Sequence, residues 1–361
     1  MRILQTALVC LLGTQLLSQS PPGTAAQEQA PQTIRTTVNV VVAHTVVKDS
    51  RGEYVSSLKQ QEFRLYDNEK LQDIRVDLAF NPISLVVGVQ SSSNAEGALK
   101  PVKKLGVAFE HFITGTDGEV AIVSFDHRIQ VLQDFTKDST AVTKALEKLK
   151  PGSSHHAMTD MVTYGVRMLS KRPDDHRRVL LLIAESRDRG SEGSTREALE
   201  YAQLHNVIIY TINMSRFMNA MTREPDYPRP PAVPPEARAP LPGGHVSTPT
   251  TVAQSTGTPG YAMDFAPVIK EIFTQVKSIF IDNHAEVFTK YTGGSEYNFT
   301  SQRELEKAVS QLGQQLHAQY LITYNPNNKL EGGWHEIRVV VERPNLQVST
   351  RRGYWMAGVP Y

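Results

Sequence analysis

The side chains with the most chemistry to offer fall in two short stretches. Gln90 is followed by Ser91-Ser92-Ser93-Asn94, and a histidine pair at His155-His156 is followed by Asp160. Hydroxyl, imidazole and carboxylate are the parts of a serine hydrolase, in which imidazole takes the serine proton and a carboxylate orients the ring. Ser92 or Ser93 would be the nucleophile, with His155 or His156 and Asp160 as partners. No Gly-x-Ser-x-Gly elbow encloses either serine, so the sharp strand-to-helix turn that exposes such a nucleophile is missing. No glycine-rich phosphate loop with a following Lys-Ser or Lys-Thr occurs, and Gly332-Gly333 falls in a β turn. The polar loop is then a hydrogen-bonding surface or a solvated one. Asp174-Asp175 and Asp188 read as surface charge, and Trp334, Tyr354 and Trp355 as packing residues.

What positions these side chains is an alternation of strands and helices. Leu85 to Val89 is an apolar run without charge, as a strand buried on both faces of a parallel sheet requires. The serines follow its carboxyl end, where open α/β sheets place their ligands. Val120–Phe125, Val179–Ile183 and Val207–Ile212 are further buried strands, with Ile129–Leu132 as an antiparallel edge. Helices are expected with Val102, Leu105, Phe109 and Phe112 inward, from Ser139 to Leu149, after the Gly152–His156 loop, and after capping boxes at Ser194 and Ser301. The fold class is α/β, a doubly wound, mainly parallel sheet. Short strands before residue 80 and after residue 317 are each an incomplete sheet, and pairing them gives a small β-sandwich into which the α/β part is inserted. Ten prolines between residues 217 and 262 mark a flexible insertion, and an apolar stripe from Phe265 to Ile279 resumes helical order. The expected division is 1–26, 33–80, 81–316 and 317–355, the second and last parts forming the sandwich.

Composition narrows the class of partner. The chain has 361 residues, with 38 lysines and arginines against 37 acidic residues and no basic stripe, which argues against nucleic acid. Residues 1–26 have an export signal's form: Arg2, an apolar stretch to Leu17, and small residues at Thr24-Ala25-Ala26. The apolar part is too short to span a membrane, so a periplasmic or secreted protein is expected. The single cysteine, Cys10, lies in that segment, leaving the mature chain without thiol or disulfide.

The organisation from about Val38 to Tyr354 resembles the von Willebrand factor type A domain, and specifically the VWFA-related family first described from acidobacterial proteins. The residues that carry the likeness are Ile83–Asn94, Val120–Phe125, Val131–Thr136, Val179–Glu185, Thr292-Gly293-Gly294 and Arg351-Arg352-Gly353-Tyr354. The resemblance implies a protein-binding module whose adhesion site holds a divalent cation through an Asp-x-Ser-x-Ser loop, a threonine and an aspartate. Gln90, Ser92, Asn94, His156 and Glu185 stand at those five positions. One carboxylate among five is little charge with which to dehydrate a hard cation. The expectation is a non-enzymatic interaction module with a degenerate site, no metal and no cofactor, binding an unknown protein partner. The alternatives are an adhesion domain using magnesium or manganese through altered ligands, or zinc held by His155, His156 and Glu185 with His127 or Asp160.

Overall fold

The computed structural model describes residues 40–79, 81–109, 118–222, 283–328 and 331–356. The export signal, Cys10, residues 223–262 of the proline-rich stretch, and the stripe from Phe265 to Ile279 lie outside them. In chain order the first elements are β1 (Val41–Lys48), β2 (Phe63–Asp67), β3 (Lys70–Leu71), β4 (Ile74–Leu78) and β5 (Ile83–Gln90). Next come α1 (Glu96–Val102), α2 (Gly106–Phe109), β6 (Glu119–Phe125), β7 (Ile129–Thr136), α3 (Ser139–Glu147), α4 (Met158–Leu169) and β8 (Arg177–Ala184). Then follow α5 (Thr195–Leu204), β9 (Val207–Asn213), α6 (Ser215–Thr222), α7 (His284–Thr292), β10 (Glu296–Asn298) and α8 (Gln302–His317). The last strands are β11 (Tyr320–Tyr324), β12 (Gly333–Val341), β13 (Gln347–Ser349) and β14 (Gly353–Met356).

The central sheet has the order β10-β9-β8-β5-β6-β7. All its pairings are parallel except that of β7 with β6. Every residue of β5 is buried, because alternate side chains enter two different cores. Leu85, Val87 and Val89 face the cluster built with α1, α3 and α8, while Val86 faces the one built with α4, α5 and α7. Burying each such aliphatic side chain contributes about 2 kcal/mol. Gly88 is on the α4 side, where an added Cβ would lie 3.0 Å from Leu182 and 3.2 Å from Met161. Its missing side chain lets α4 sit close to the sheet and brings the α4 N-terminus over the end of β5.

The early and late strands do pair. One small sheet has the order β13-β1-β11-β4 and the other β14-β12-β2-β3, and both face one shared core. That core contains a polar knot. The buried carboxylate of Asp67 accepts hydrogen bonds from Tyr324 at 2.9 Å, Tyr354 at 2.7 Å, Asn328 at 3.0 Å and His335 Nδ1 at 2.6 Å. Burial raises both tyrosines, so they stay neutral donors. Trp334 and Trp355 are half-buried and do pack, as expected, but against the α/β part too. Trp334 meets the Tyr291 ring of α7, and Arg196 of α5 lies over Trp355.

Three local expectations are corrected. The helix read through Val102, Leu105, Phe109 and Phe112 is interrupted: α1 ends at Val102 and α2 starts at Gly106, while Phe112 lies outside the described residues. Val102, Leu105 and Phe109 are still fully buried. Residues 217–222, assigned to the insertion, belong to helix α6. Finally, α5 begins where expected, but Ser194 makes no side-chain cap, whereas Ser301 does accept from Glu304 N at the start of α8.

Candidate functional site

The carboxyl ends of β5 and β8 and the loop before α4 bring Gln90, Ser92, His156 and Glu185 together. Gln90 is the last residue of β5 and is fully buried. Its Nε2 donates to Ser92 Oγ at 2.8 Å and Glu185 Oε2 at 3.0 Å, and lies 3.2 Å from His156 Nδ1. Its Oε1 accepts from Glu185 N at 2.8 Å. That last contact fixes which way the amide points, because a backbone N–H requires an oxygen opposite it. The histidine tautomer follows by the same reasoning. His156 Nε2 is 2.7 Å from the Arg187 carbonyl, which only accepts, so Nε2 carries a proton, and Nδ1 competes with Ser92 and Glu185 for the two hydrogens of the Gln90 amide.

The cluster is nearly closed to solvent. Ser92 and His156 are fully buried like Gln90, and the Glu185 side chain is 14% exposed. Asn94 does not join it. One turn of 3-10 helix over Ser93–Ala95 turns Asn94 outward, where it is exposed beside Ser93. The outer surface over the cluster is made of Ser93, Asn94, His155, Arg187 and Arg189, all exposed.

Each loop is held by hydrogen bonds to its neighbours. Ser91 N donates to Phe125 O at 2.8 Å, Ser93 N to Ser153 O at 2.8 Å, and Arg189 N to His156 O at 3.2 Å. Asp188, read from the sequence as surface charge, is instead the main brace. Its Oδ2 accepts from Thr159 N at 2.8 Å and so caps α4, while Oδ1 accepts from Ser191 N at 3.1 Å and Gly190 N at 3.2 Å. Burial would raise its carboxyl, but the bonds from Ser191, Thr159 and Gly190 prevail and hold it below the usual carboxylate range. In return, Asp160 of α4 accepts from Glu192 N and Gly193 N at 3.0 and 2.9 Å. Asp174 does remain exposed, in a surface pair with Arg178.

The donor set does not suit the divalent ion implied by the resemblance. A hard cation needs several free, preferably anionic oxygens. Gln90 turns its NH2 toward the other three side chains and spends its oxygen on Glu185 N, so only Glu185 brings an anionic oxygen. The zinc set is dispersed. His155 is exposed and bonded to Ser154, His127 is bonded to Ser153 at 2.6 Å, and Asp160 is occupied as above. Among the described residues no group of three His, Cys, Asp or Glu side chains is arranged to hold a metal. The hydrolase arrangement is also not formed: Ser92 Oγ meets the Gln90 amide, and both nitrogens of His156 face Gln90 and Arg187.

No protein-family model matches the chain, and no curated protein sequence matches it. Among solved structures it is similar to an aerotolerance-related membrane protein of Bacteroides fragilis, at 13% identity and a TM-score of 0.38, over 64% of this chain and 98% of that one. It is similar to the conserved hypothetical protein BatB of Bacteroides thetaiotaomicron, at 15% identity and a TM-score of 0.35, over 65% and 98%. The SpRpn10 VWA domain is similar at 12% identity and a TM-score of 0.30, over 37% and 75%. The assignment of fold rests on the sheet itself: a parallel core wound both ways from β5, one antiparallel strand at the β7 edge, and polar loops over the carboxyl ends. With this topology, the α/β part of the chain is the doubly wound, mainly parallel α/β sheet that the sequence predicts.

Proposed function

We propose that this is an exported, non-enzymatic protein-interaction module that works without a metal ion. The observation that supports it is the Gln90 side chain, which bonds Ser92 and both ends of Glu185 and faces His156. A neutral amide with a donor end and an acceptor end satisfies this buried group without charge compensation, which an ion-free cluster of carboxylates would lack. Catalysis through Ser92 and His156 has little support in the same geometry, since both side chains are buried and each bonds Gln90 instead of the other. The three loops instead offer a rigid polar surface, and polar surfaces on rigid scaffolds are used for recognition. Export rests on the form of residues 1–26, and the division at 33–80, 81–316 and 317–355 remains a proposal about domains. Among the described residues no helix is long and apolar enough to cross a membrane.

The test uses the full chain with a photo-crosslinking residue at Ser93 or Asn94, applied to a native envelope or culture-fluid fraction. A discrete crosslinked product that survives EDTA is expected. Loss of the product on chelation, or stoichiometric uptake of magnesium, manganese or zinc by the purified chain, overturns the ion-free reading. Absence of any product from either position overturns the binding face.

A further inference from the structure

Beside the cluster, between the start of β7 and the loop joining α3 to α4, lies an open cleft of about 640 Å³. Arg128, Lys148 and Lys150 line it, with apolar surface between them from Ile129, Leu132 and Pro151. All three cationic residues are exposed. The carboxylate in the lining is Asp126, which is braced by backbone bonds. It is 5% exposed, and it accepts from Arg128 N at 2.6 Å and Ser153 N at 2.8 Å. It also pairs with the Arg128 guanidinium and lies against His127 Nδ1, each at 3.5 Å, whereas neither Lys148 nor Lys150 has an ion-pair partner among the described residues. Gly152 packs directly on Asp126, where an added Cβ would lie 2.3 Å from Oδ2. One buried carboxylate therefore braces both walls of the cleft and pairs with Arg128, which leaves the charges of Lys148 and Lys150 on the rim.

From this we infer that the cleft binds an acidic, extended segment of a partner protein. Glutamate or aspartate side chains would meet Arg128, Lys148 and Lys150, and an intervening apolar side chain would rest on Ile129, Leu132 and Pro151. The inference rests on reading the strand-end loops as a protein-binding face, and it names the chemistry of what binds there. Two features favour a peptide. The cleft is far larger than a single small anion, and among the described residues no aromatic side chain lines it to stack a base. Strand β7 also forms an edge of the central sheet, and its first residues line the cleft, so an extended chain would find unpaired backbone groups beside the cations.

The experiment measures fluorescence anisotropy with the full chain and three labelled probes: a glutamate-rich peptide with interspersed leucines, its glutamine-for-glutamate counterpart, and a single-stranded oligonucleotide. The glutamate peptide is expected to bind best, and its affinity to fall several-fold between about 50 mM and about 300 mM salt as the charges are screened. The double variant Lys148→Glu/Lys150→Glu, both at exposed positions, is expected to weaken it about 10-fold or more while keeping the wild-type melting temperature. Equal binding of the glutamine peptide, tighter binding of the oligonucleotide, or undiminished binding by the folded double variant overturns the inference. The two readings fail separately. If the Ser93 or Asn94 crosslink persists undiminished in the lysine double variant, the face stands and the acidic cleft does not. Loss of that crosslink from the wild-type protein removes the face itself.

Discussion

Replacing Gln90 by aspartate puts a carboxylate where the amide now sits, and the consequence follows from the distances. The Nε2 of Gln90 is 3.0 Å from Glu185 Oε2, and aspartate is one methylene shorter, so the two carboxylates would stand roughly 4 Å apart. At an effective dielectric of about 20, like charges at that separation repel by about 4 kcal/mol. The charge-assisted hydrogen bond from the amide to Glu185 is lost as well, a further 1.5 kcal/mol or so. Solvent reaches 14% of the Glu185 side chain, which trims the repulsion, so Gln90→Asp should destabilise the fold by about 3–5 kcal/mol at pH 8 in EDTA. The deficit should shrink as the pH falls, because one acid of the new pair then holds a proton. It should also shrink on adding millimolar magnesium, which binds only the folded variant, whereas the wild-type midpoint should not move. Urea denaturation followed by tryptophan fluorescence gives all of these numbers. A Gln90→Asp protein as stable as wild type in EDTA would falsify the account of Gln90 as a neutral substitute for an ion.

Other parts of the molecule make separate predictions. His44 is buried with Nδ1 unpartnered, and burial, with Arg177 and Arg351 nearby, lowers it from 6.5 to about 3. The unfolded chain therefore binds a proton below pH 6.5 that the folded chain refuses until about pH 3, and stability should fall by about 1.4 kcal/mol per unit as the pH drops through that window. In His44→Gln the slope of urea midpoints against pH should flatten by about one proton, and an unchanged slope sinks the assignment. Asp67→Ala leaves Tyr324, Tyr354, Asn328 and His335 without their shared acceptor and should cost about 3 kcal/mol or more, read by thermal melting. Asp188→Ala removes the cap of α4 and the tie to residues 190–191, for about 1–2 kcal/mol and faster hydrogen exchange at Thr159, with the sandwich amides unaffected.

The strands of the central sheet were legible because burial on both faces writes itself as an unbroken apolar run, as in Leu85–Val89 and Val179–Ile183. The pairing of early with late strands was legible by elimination, since neither set could bury a core alone. Helix detail was read less well, because spacing shows which side chains point inward but not whether one helix carries them. Leu105 and Phe109 are buried as expected while the chain between α1 and α2 is not helical. In the cluster, four of five expected positions converge, and Asn94 fails because a 3-10 turn, invisible to a pattern of residue types, rotates it outward. Asp188 and Asp67 were beyond reach for a different reason. Their partners are set by tertiary proximity, and Asp67 meets His335 across 268 residues of sequence.

Gln90 and Glu185 are better understood as one device than as two substitutions. The amide oxygen accepts from the Glu185 backbone, and the amide nitrogen donates to the end of the same side chain, so the two residues close a ring. Glutamate has the reach to fold back on the amide, and aspartate in its place, one methylene shorter, would leave a longer gap to Nε2. Glutamine likewise supplies the donor and acceptor that the ring needs, and glutamate at position 90 would keep the acceptor and lose the donor. The pair should accordingly couple: Gln90→Ala and Glu185→Ala each break the same ring, so the double variant should cost less than the two single changes together. A coupling energy of about 1 kcal/mol or more in a double-mutant cycle is expected, and additivity would mean that the two residues hold their loops independently.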